Sequence, residues 1–293
     1  MTGSTHGERG TAAGIGRAVR GRSERSVCAR QARPQGDKKV RQKAGAGMNR
    51  DYRTRIYESY ASEFQDKGPV FDPVAARRWG RAYEWYLRNW LPADKSANIV
   101  DLACGAGELL YFFRERGYAR VSGVDISPAQ IALSRQVTDD VVQDGVHEFL
   151  RSRQDTFDLI TAIDLVEHLS KDEVLVFLDE CHAALRPGGR MILQTPNAES
   201  PWVASCRYGD FTHEVCFQHN ALSRLMRMTG FVDIQTREQG PVPLGYSAVS
   251  TGRYLLWRVI RACLQFYNAV ETGSLGSGVF TRVFLASGVK ADG

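Results

Sequence analysis

The chain has 293 residues, 43% hydrophobic and 24% charged, proportions of an ordinary globular protein that exclude collagen-like, wholly disordered and disulfide-framework classes. This length fits one large domain or two small ones. The formal charge of +5 is unevenly spread. Residues 1–47 carry eleven Arg or Lys against Glu8, Glu24 and Asp37, a surplus of +8 that leaves −3 for residues 48–293. The folded part therefore offers no polyanion footprint, and nucleic acid is not favoured as its partner. The 1–47 arm is rich in Gly, Arg, Gln and Ser and nearly lacks large apolar residues, so disorder is expected there. An RNA-binding tail or an organelle transit peptide is its functional reading, since it is Arg-rich and acid-poor; upstream sequence ahead of a start at Met48 is the plainer one. The cysteines at 28, 104, 181, 206, 216 and 263 form no Cys-x-x-Cys pair and read as reduced thiols. The longest apolar runs, Leu109–Phe113 and Val174–Leu178, fall far short of the roughly 20 residues that span a bilayer, and a cytoplasmic location is expected.

Aromatic residues at helical spacing predict two helices in a cap over 48–97. One covers 52–66 with Tyr57, Tyr60 and Phe64; the other covers 74–91 with Trp79, Tyr83, Tyr86 and Trp90. Beyond Pro92, short β-prone runs alternate with helical segments. The strands expected are Asn98–Ala103, Val121–Asp125, Val141–Gln143, Phe157–Ile163 and Arg190–Gln194. The helices between them run over Gly107–Arg116, from Ser127-Pro128, and over Val146–Arg151; a fourth is opened by a Ser170/Glu173 capping box with Val174, Phe177, Leu178 and Leu185 inward. Pro187-Gly188-Gly189 is expected to turn the chain into the fifth strand. Such alternation predicts a parallel α/β sheet covered on both faces. In the tail, Asn220 is expected to cap a helix ending at Gly230. Phe231–Arg237 and Val279–Ala286 read as strands, with an amphipathic helix, Tyr254–Val270, inserted between them.

The stretch Val100-Asp101-Leu102-Ala103-Cys104-Gly105-Ala106-Gly107-Glu108 places a glycine turn between a buried strand and a helix. A helix start offers free N–H groups, and residues without side chains allow a ligand close to the backbone. A dinucleotide fingerprint reads Gly-x-Gly-x-x-Gly; here Leu110 stands at the third glycine, and no Tyr-x-x-x-Lys occurs in the chain. Asp101-Leu102-Ala103-Cys104-Gly105-Ala106-Gly107 resembles the first motif of the class I S-adenosylmethionine-dependent methyltransferases. The resemblance runs from about Ile99 to Phe231. It implies a Rossmann-like, doubly wound, mostly parallel seven-stranded sheet with N-terminal helices and a helical insert before the last strand, the methyltransferase domain covering 98–293. It further implies that Asp101 faces the methionine amino group, Asp125 the ribose hydroxyls, and Asp144 and Gly145 the adenine edge. Ala103, Cys104, Gly105, Gly107, Ile126 and Ile163 would complete the S-adenosylmethionine pocket.

For the acceptor side, the fourth strand leads into Asp164-Leu165-Val166-Glu167-His168, and a second cluster follows at Asp210-Phe211-Thr212-His213-Glu214. On a helical turn Asp164, Glu167 and His168 share a side. His213 is the expected general base, with Glu214 or Glu167 orienting it and His168 lining the site. The competing reading is a divalent metal on Asp164, Glu167, His168 and His213, similar to the metal-dependent methyltransferases of small-RNA 3′ ends, with Asp164 departing from their first Glu. The metal-free reading is preferred, since a His and a carboxylate also serve as base and orienter. His147, His182 and His219 read as ordinary helix or loop residues. The segments Thr195–Trp202 and Arg207–Glu214 look like the loop of bacterial methyltransferases of cell-surface glycan biosynthesis, which implies O-methylation of a hydroxyl on a sugar or glycan intermediate. A polyprenyl quinone precursor, an RNA 3′ end, or a non-catalytic scaffold tethered by the basic arm are the alternatives. For the 254–270 helix, packing on its own domain or in a homodimer is weighed against peripheral contact with the inner membrane.

Overall fold

The structure is a computed structural model that describes residues 52–57, 68–243 and 246–292. The 1–47 arm, Tyr60 and Phe64 lie outside the described residues. Helix α1 (Tyr52–Tyr57) is followed by α2 (Pro73–Tyr86), whose N-cap Asp72 accepts from the backbone N–H of Val74 and Ala75 with Pro73 at the first helical position. Seven strands follow: β1 (Asn98–Leu102), β2 (Arg120–Asp125), β3 (Val141–Gln143), β4 (Phe157–Ile163), β5 (Leu185–Pro196), β6 (Phe231–Glu238) and β7 (Val283–Lys290). They are joined by α3 (Glu108–Glu115), α4 (Pro128–Ser134), α5 (Val146–Arg151), a 3₁₀ turn at Val166–His168, α6 (Lys171–Ala184), α7 (Val203–Arg207), α8 (His219–Met228) and α9 (Ala248–Thr272).

The sheet order is β3-β2-β1-β4-β5-β7-β6, parallel except for β7, which pairs antiparallel with both β5 and β6. Side chains alternate across β1 and feed two cores. Val100 and Leu102 join Phe177, Leu178 and Met226 on one face, and Ile99 joins Tyr83, Phe112, Phe113 and Ile131 on the other. Both faces of the sheet are thus covered, as in a doubly wound fold. The strand order reverses about β1, so the carboxyl ends of β1 and β4 open the crevice in which such sheets bind ligands.

Several boundaries differ from the sequence expectation. Helix α2 stops at Tyr86, and Asn89 adopts φ 63°; Trp90 reaches the core from the following turn, its indole N–H donating to Gln235 Oε1 at 3.0 Å. Leu185 begins β5 rather than closing α6, and Pro187-Gly188-Gly189 lies inside β5 where the pairing with β4 shifts register. Helix α8 is capped by Gln218, not Asn220, through its side chain and the Ala221 N–H. The last strand starts at Val283 instead of Val279, because the Asn197 side chain binds the carbonyls of Val279 and Thr281 and holds that segment off the sheet. The inserted helix is longer than expected, 25 residues in place of 254–270.

Candidate active site

The turn after β1 is built from left-handed backbone. Ala103, Gly105 and Gly107 take φ of 56°, 54° and 93°. A Cβ at Gly105 would meet nothing within 4 Å, whereas one at Gly107 would stand 3.1 Å from Ser134 Cα. Gly105 therefore borders open space, and Gly107 lets α3 approach α4. Asp101 is buried at 3% exposure and accepts from Thr161 Oγ1 at 2.7 Å; burial pushes its carboxyl up to about 7, against the opposing hydrogen bond from Thr161. Asp125 accepts from the backbone N–H of Gly105 at 2.9 Å and of Ser127 at 2.8 Å. Asp144 accepts from the Gly145 N–H at 2.9 Å beyond β3. Ile126, next to Asp125, leaves 55% of its apolar surface exposed.

These features fit a nucleoside with an amino-acid tail. There is open backbone at Gly105, an uncovered apolar side chain at Ile126, a carboxylate at each of three successive strand ends, and a buried Ser127 Oγ with no hydrogen-bond partner. Cys104 is buried beneath the turn, where a Cβ at Gly123 would lie 2.8 Å from its Sγ, so it supports the loop from below. Ile163 is half-buried at the end of β4.

The second part of the site forms where β4 ends. Asp164 takes φ 53°, a conformation that costs a non-glycine residue free energy and concentrates at functional positions. Its Oδ1 accepts from Gln194 Nε2 at 3.0 Å, which directs it away from the histidines, and burial raises its carboxyl to about 6. Gln194 is held in turn by the Tyr83 hydroxyl at 2.6 Å. Glu167 is buried at 1% exposure, accepts from Thr195 Oγ1 at 3.0 Å, and has its carboxyl pushed well up by burial and by the charge of Asp164.

His168 and His213 meet edge to face with ring centroids 4.7 Å apart. His213 Nδ1 lies 2.8 Å from the Cys206 carbonyl oxygen. A carbonyl only accepts, so Nδ1 carries the proton and Nε2 presents the lone pair. His168 Nδ1 lies 2.8 Å from Thr212 Oγ1, and that hydroxyl donates to Asp210 Oδ1 at 2.6 Å. Burial holds His168 down to about 4 and lowers His213 as well. Of the two expected orienters of His213, Glu214 is engaged by α1, whereas a Glu167 carboxylate oxygen lies within 4.8 Å of a His213 ring nitrogen. Glu214 hydrogen-bonds the Tyr52 hydroxyl, and the Glu167 backbone carbonyl accepts from the N–H groups of Glu214 and Val215. One ligand atom from each of Glu167, His168 and His213 lies within 4.8 Å of the others, a set able to hold a divalent ion; Asp164 is outside it.

Beside His213 is a cleft of about 410 Å³ lined by Tyr52, Arg207, Tyr208, Asp210, Phe211 and Glu214. Arg207 fastens its floor by donating to the carbonyls of His213 and Glu214. Helix α1 forms a wall, fixed by Arg53, which binds both carboxylate oxygens of Glu173 at 2.7 and 2.9 Å. The sequence reading did not single out Tyr52, Arg53, Thr161, Thr195 or Thr212. The polar residues among them act through partners far away in the chain, which spacing does not reveal. His147 binds Glu180, His182 packs on Phe231, and His219 lies 3.8 Å from Glu199.

A family model described as a methyltransferase domain matches residues 74–236, more than half of the chain. The ubiquinone biosynthesis O-methyltransferase of Pseudomonas aeruginosa (strain UCBPP-PA14) is 29% identical over 146 residues, covering 43% of this chain and 61% of that protein. The chain thus spans about three fifths of that relative's length. A SAM-dependent methyltransferase from Archaeoglobus fulgidus superposes with a TM-score of 0.54 at 20% identity, covering 82% of this chain and 100% of the other. The phosphoethanolamine N-methyltransferase 2 of Haemonchus contortus, bound to phosphomonomethylethanolamine and S-adenosylhomocysteine, gives 0.52 at 16% identity over 80% of this chain and 60% of its own. At these identities the two structures speak for the fold. With the family match laid over a sheet of this order and a glycine turn at its switch point, the chain belongs to the class I S-adenosylmethionine-dependent methyltransferases.

Proposed function

We propose that the enzyme O-methylates a hydroxyl of a sugar or glycan intermediate, with His213 as the general base. The observation that carries this reading is the Nδ1–H of His213 tied to the Cys206 carbonyl, which leaves Nε2 as the basic nitrogen of a residue that lines the acceptor cleft. When bound, S-adenosylmethionine supplies a methyl group already activated on a sulfonium. What remains for the chain is to orient an acceptor and take its proton, and orientation alone contributes about 7 to 11 kcal/mol in favourable cases. Asp101, Ala103, Cys104, Gly105, Gly107, Asp125, Ile126, Asp144, Gly145 and Ile163 would hold the cofactor. His168, kept neutral by burial, would line the acceptor side, with Thr212 and Asp210 fixing its ring. The polar and aromatic cleft, with Tyr52, Tyr208, Phe211 and Arg207 around it, suits a ring bearing several hydroxyls.

A second reading, O-methylation of a polyprenyl quinone precursor, draws support from the Pseudomonas relative. Incubation with methyl-labelled S-adenosylmethionine and the two acceptor classes separates them. Label on glycan hydroxyls supports the first reading and label confined to the phenol supports the second. Transfer to an amine, with neither hydroxyl labelled, overturns both.

A further inference from the structure

Helix α9 is amphipathic in the reverse of the usual sense. Surface helices of globular proteins turn the apolar stripe inward and the polar face to water. Here the polar side is the docked side. Trp257 Nε1 and Arg261 Nη1 both donate to Glu238 Oε2, at 3.2 and 3.3 Å. Ser250 Oγ donates to the Val242 carbonyl at 2.6 Å, and Asn268 Nδ2 to the Ser274 carbonyl at 2.7 Å. Ser250 is the one buried residue of the helix.

At about 100° per residue, Leu255, Leu256, Val259, Ile260, Phe266 and Val270 fall on one arc of roughly 140°. They stand 49 to 71% exposed. From Leu255 to Val270 the stripe covers 16 residues of the 25-residue helix, about 24 Å at about 1.5 Å per residue. Arg253 lies at one margin of this arc and Arg258 at the other, and residues 248–270 contain no Asp or Glu. Trp257 is turned to the body of the protein.

Two occupants suit an outward apolar stripe, a second copy or a lipid surface. A strip about 24 Å long and one helix, about 10 Å, wide covers on the order of 240 Å². That is about a third of the roughly 800 Å² per partner in a stable protein interface. The charge pattern selects the bilayer. Arginines at both margins of an acid-free apolar arc meet lipid phosphates on either side of the helix, whereas the remainder of residues 48–293 is net acidic. We propose that α9 lies in the plane of an anionic phospholipid surface, its apolar arc in the acyl boundary and Arg253 and Arg258 at phosphate level. The docking is peripheral, and no helix among the described residues is long and apolar enough to cross a membrane. It does not depend on which acceptor the enzyme methylates.

Flotation of the full chain with phosphatidylcholine vesicles, with and without phosphatidylglycerol, tests this against a Val259→Glu/Phe266→Glu variant. Both proteins carry the basic 1–47 arm, so a difference between them reads α9. The wild type is expected to float with phosphatidylglycerol vesicles and the variant at least about tenfold less, with unchanged circular dichroism and melting temperature. Arg253→Gln/Arg258→Gln, at surface positions, is expected to lose the phosphatidylglycerol preference. Equal recovery of wild type and Val259→Glu/Phe266→Glu overturns the proposal. So does a wild type that stays in the aqueous fraction and runs in light scattering as a dimer that the same variant dissociates.

Discussion

The backbone N–H of Gly105 donates to Asp125 Oδ2 over 2.9 Å, so the glycine turn that follows β1 is fastened to the carboxylate that closes β2. The second oxygen of that carboxylate takes the Ser127 N–H at the head of α4. One side chain thereby sets both the shape of the turn and the position of a hydrogen-bond acceptor above it.

Replacing Asp125 with Ala removes both roles, and S-adenosylmethionine affinity is expected to fall at least about tenfold, the scale of a charge-assisted hydrogen bond. Asp125→Asn keeps an acceptor for the Gly105 N–H and should fall between wild type and Ala. Titration calorimetry reads the three constants; equal affinity in all of them removes Asp125 from the cofactor site.

Burial raises Asp101 to about 7 against an ordinary value of 3.8, so at pH 6 the ligand-free protein holds it mostly protonated. A carboxyl with a raised folded value stabilises the fold fully below 3.8, and that contribution is lost as pH rises through about 7. An ammonium placed beside it favours the charged form. Cofactor binding near pH 6 is therefore expected to expel a proton, and affinity to rise from pH 6 to pH 8. Calorimetry in two buffers of different ionisation heat detects that proton, and Asp101→Asn abolishes the difference. A buffer-independent enthalpy in the wild type contradicts the placement.

Turnover of His213→Ala is expected to drop by about 10² to 10⁴, the usual share of a general base, with S-adenosylhomocysteine affinity unchanged. A base acts in its neutral form. Because burial lowers His213 below 6.5, kcat should stay flat from neutral pH upward and decline only as pH falls below that ordinary value. Full activity in the variant, or a wild-type rate still climbing well above pH 7, excludes His213 as the base.

The strand, glycine turn and helix around Gly105 were legible in the sequence, because they are neighbours in the chain. A β-prone run, Gly105 and Gly107 in register, and an acidic residue at the end of the next strand are all short-range signals. The capping box at Ser170 and Glu173 formed as its spacing predicts. The acceptor half was less legible. Asp164, Glu167 and His168 share one helical side on paper, yet Gln194, thirty residues on, turns Asp164 away. The Arg53 contact with Glu173 that sets the α1 wall spans 120 positions. Periodicity found the amphipathic helix, but which face docks is decided by Glu238 on β6, and no local pattern carries that information.

Chelation separates the two chemistries available to the Glu167, His168 and His213 cluster. With His213 as a base, initial rates in a chelator are expected to match those in untreated enzyme. Loss of activity on chelation, restored by added divalent ion, would replace the base with a metal-held hydroxyl.

The central claim is that a sulfonium nucleoside occupies the Gly105 turn between Asp101 and Asp125. Equilibrium dialysis of the purified chain against S-adenosylhomocysteine and against NADH tests it most directly. The account predicts saturable, one-to-one uptake of S-adenosylhomocysteine that NADH does not displace; retention of NADH with no uptake of S-adenosylhomocysteine would contradict it.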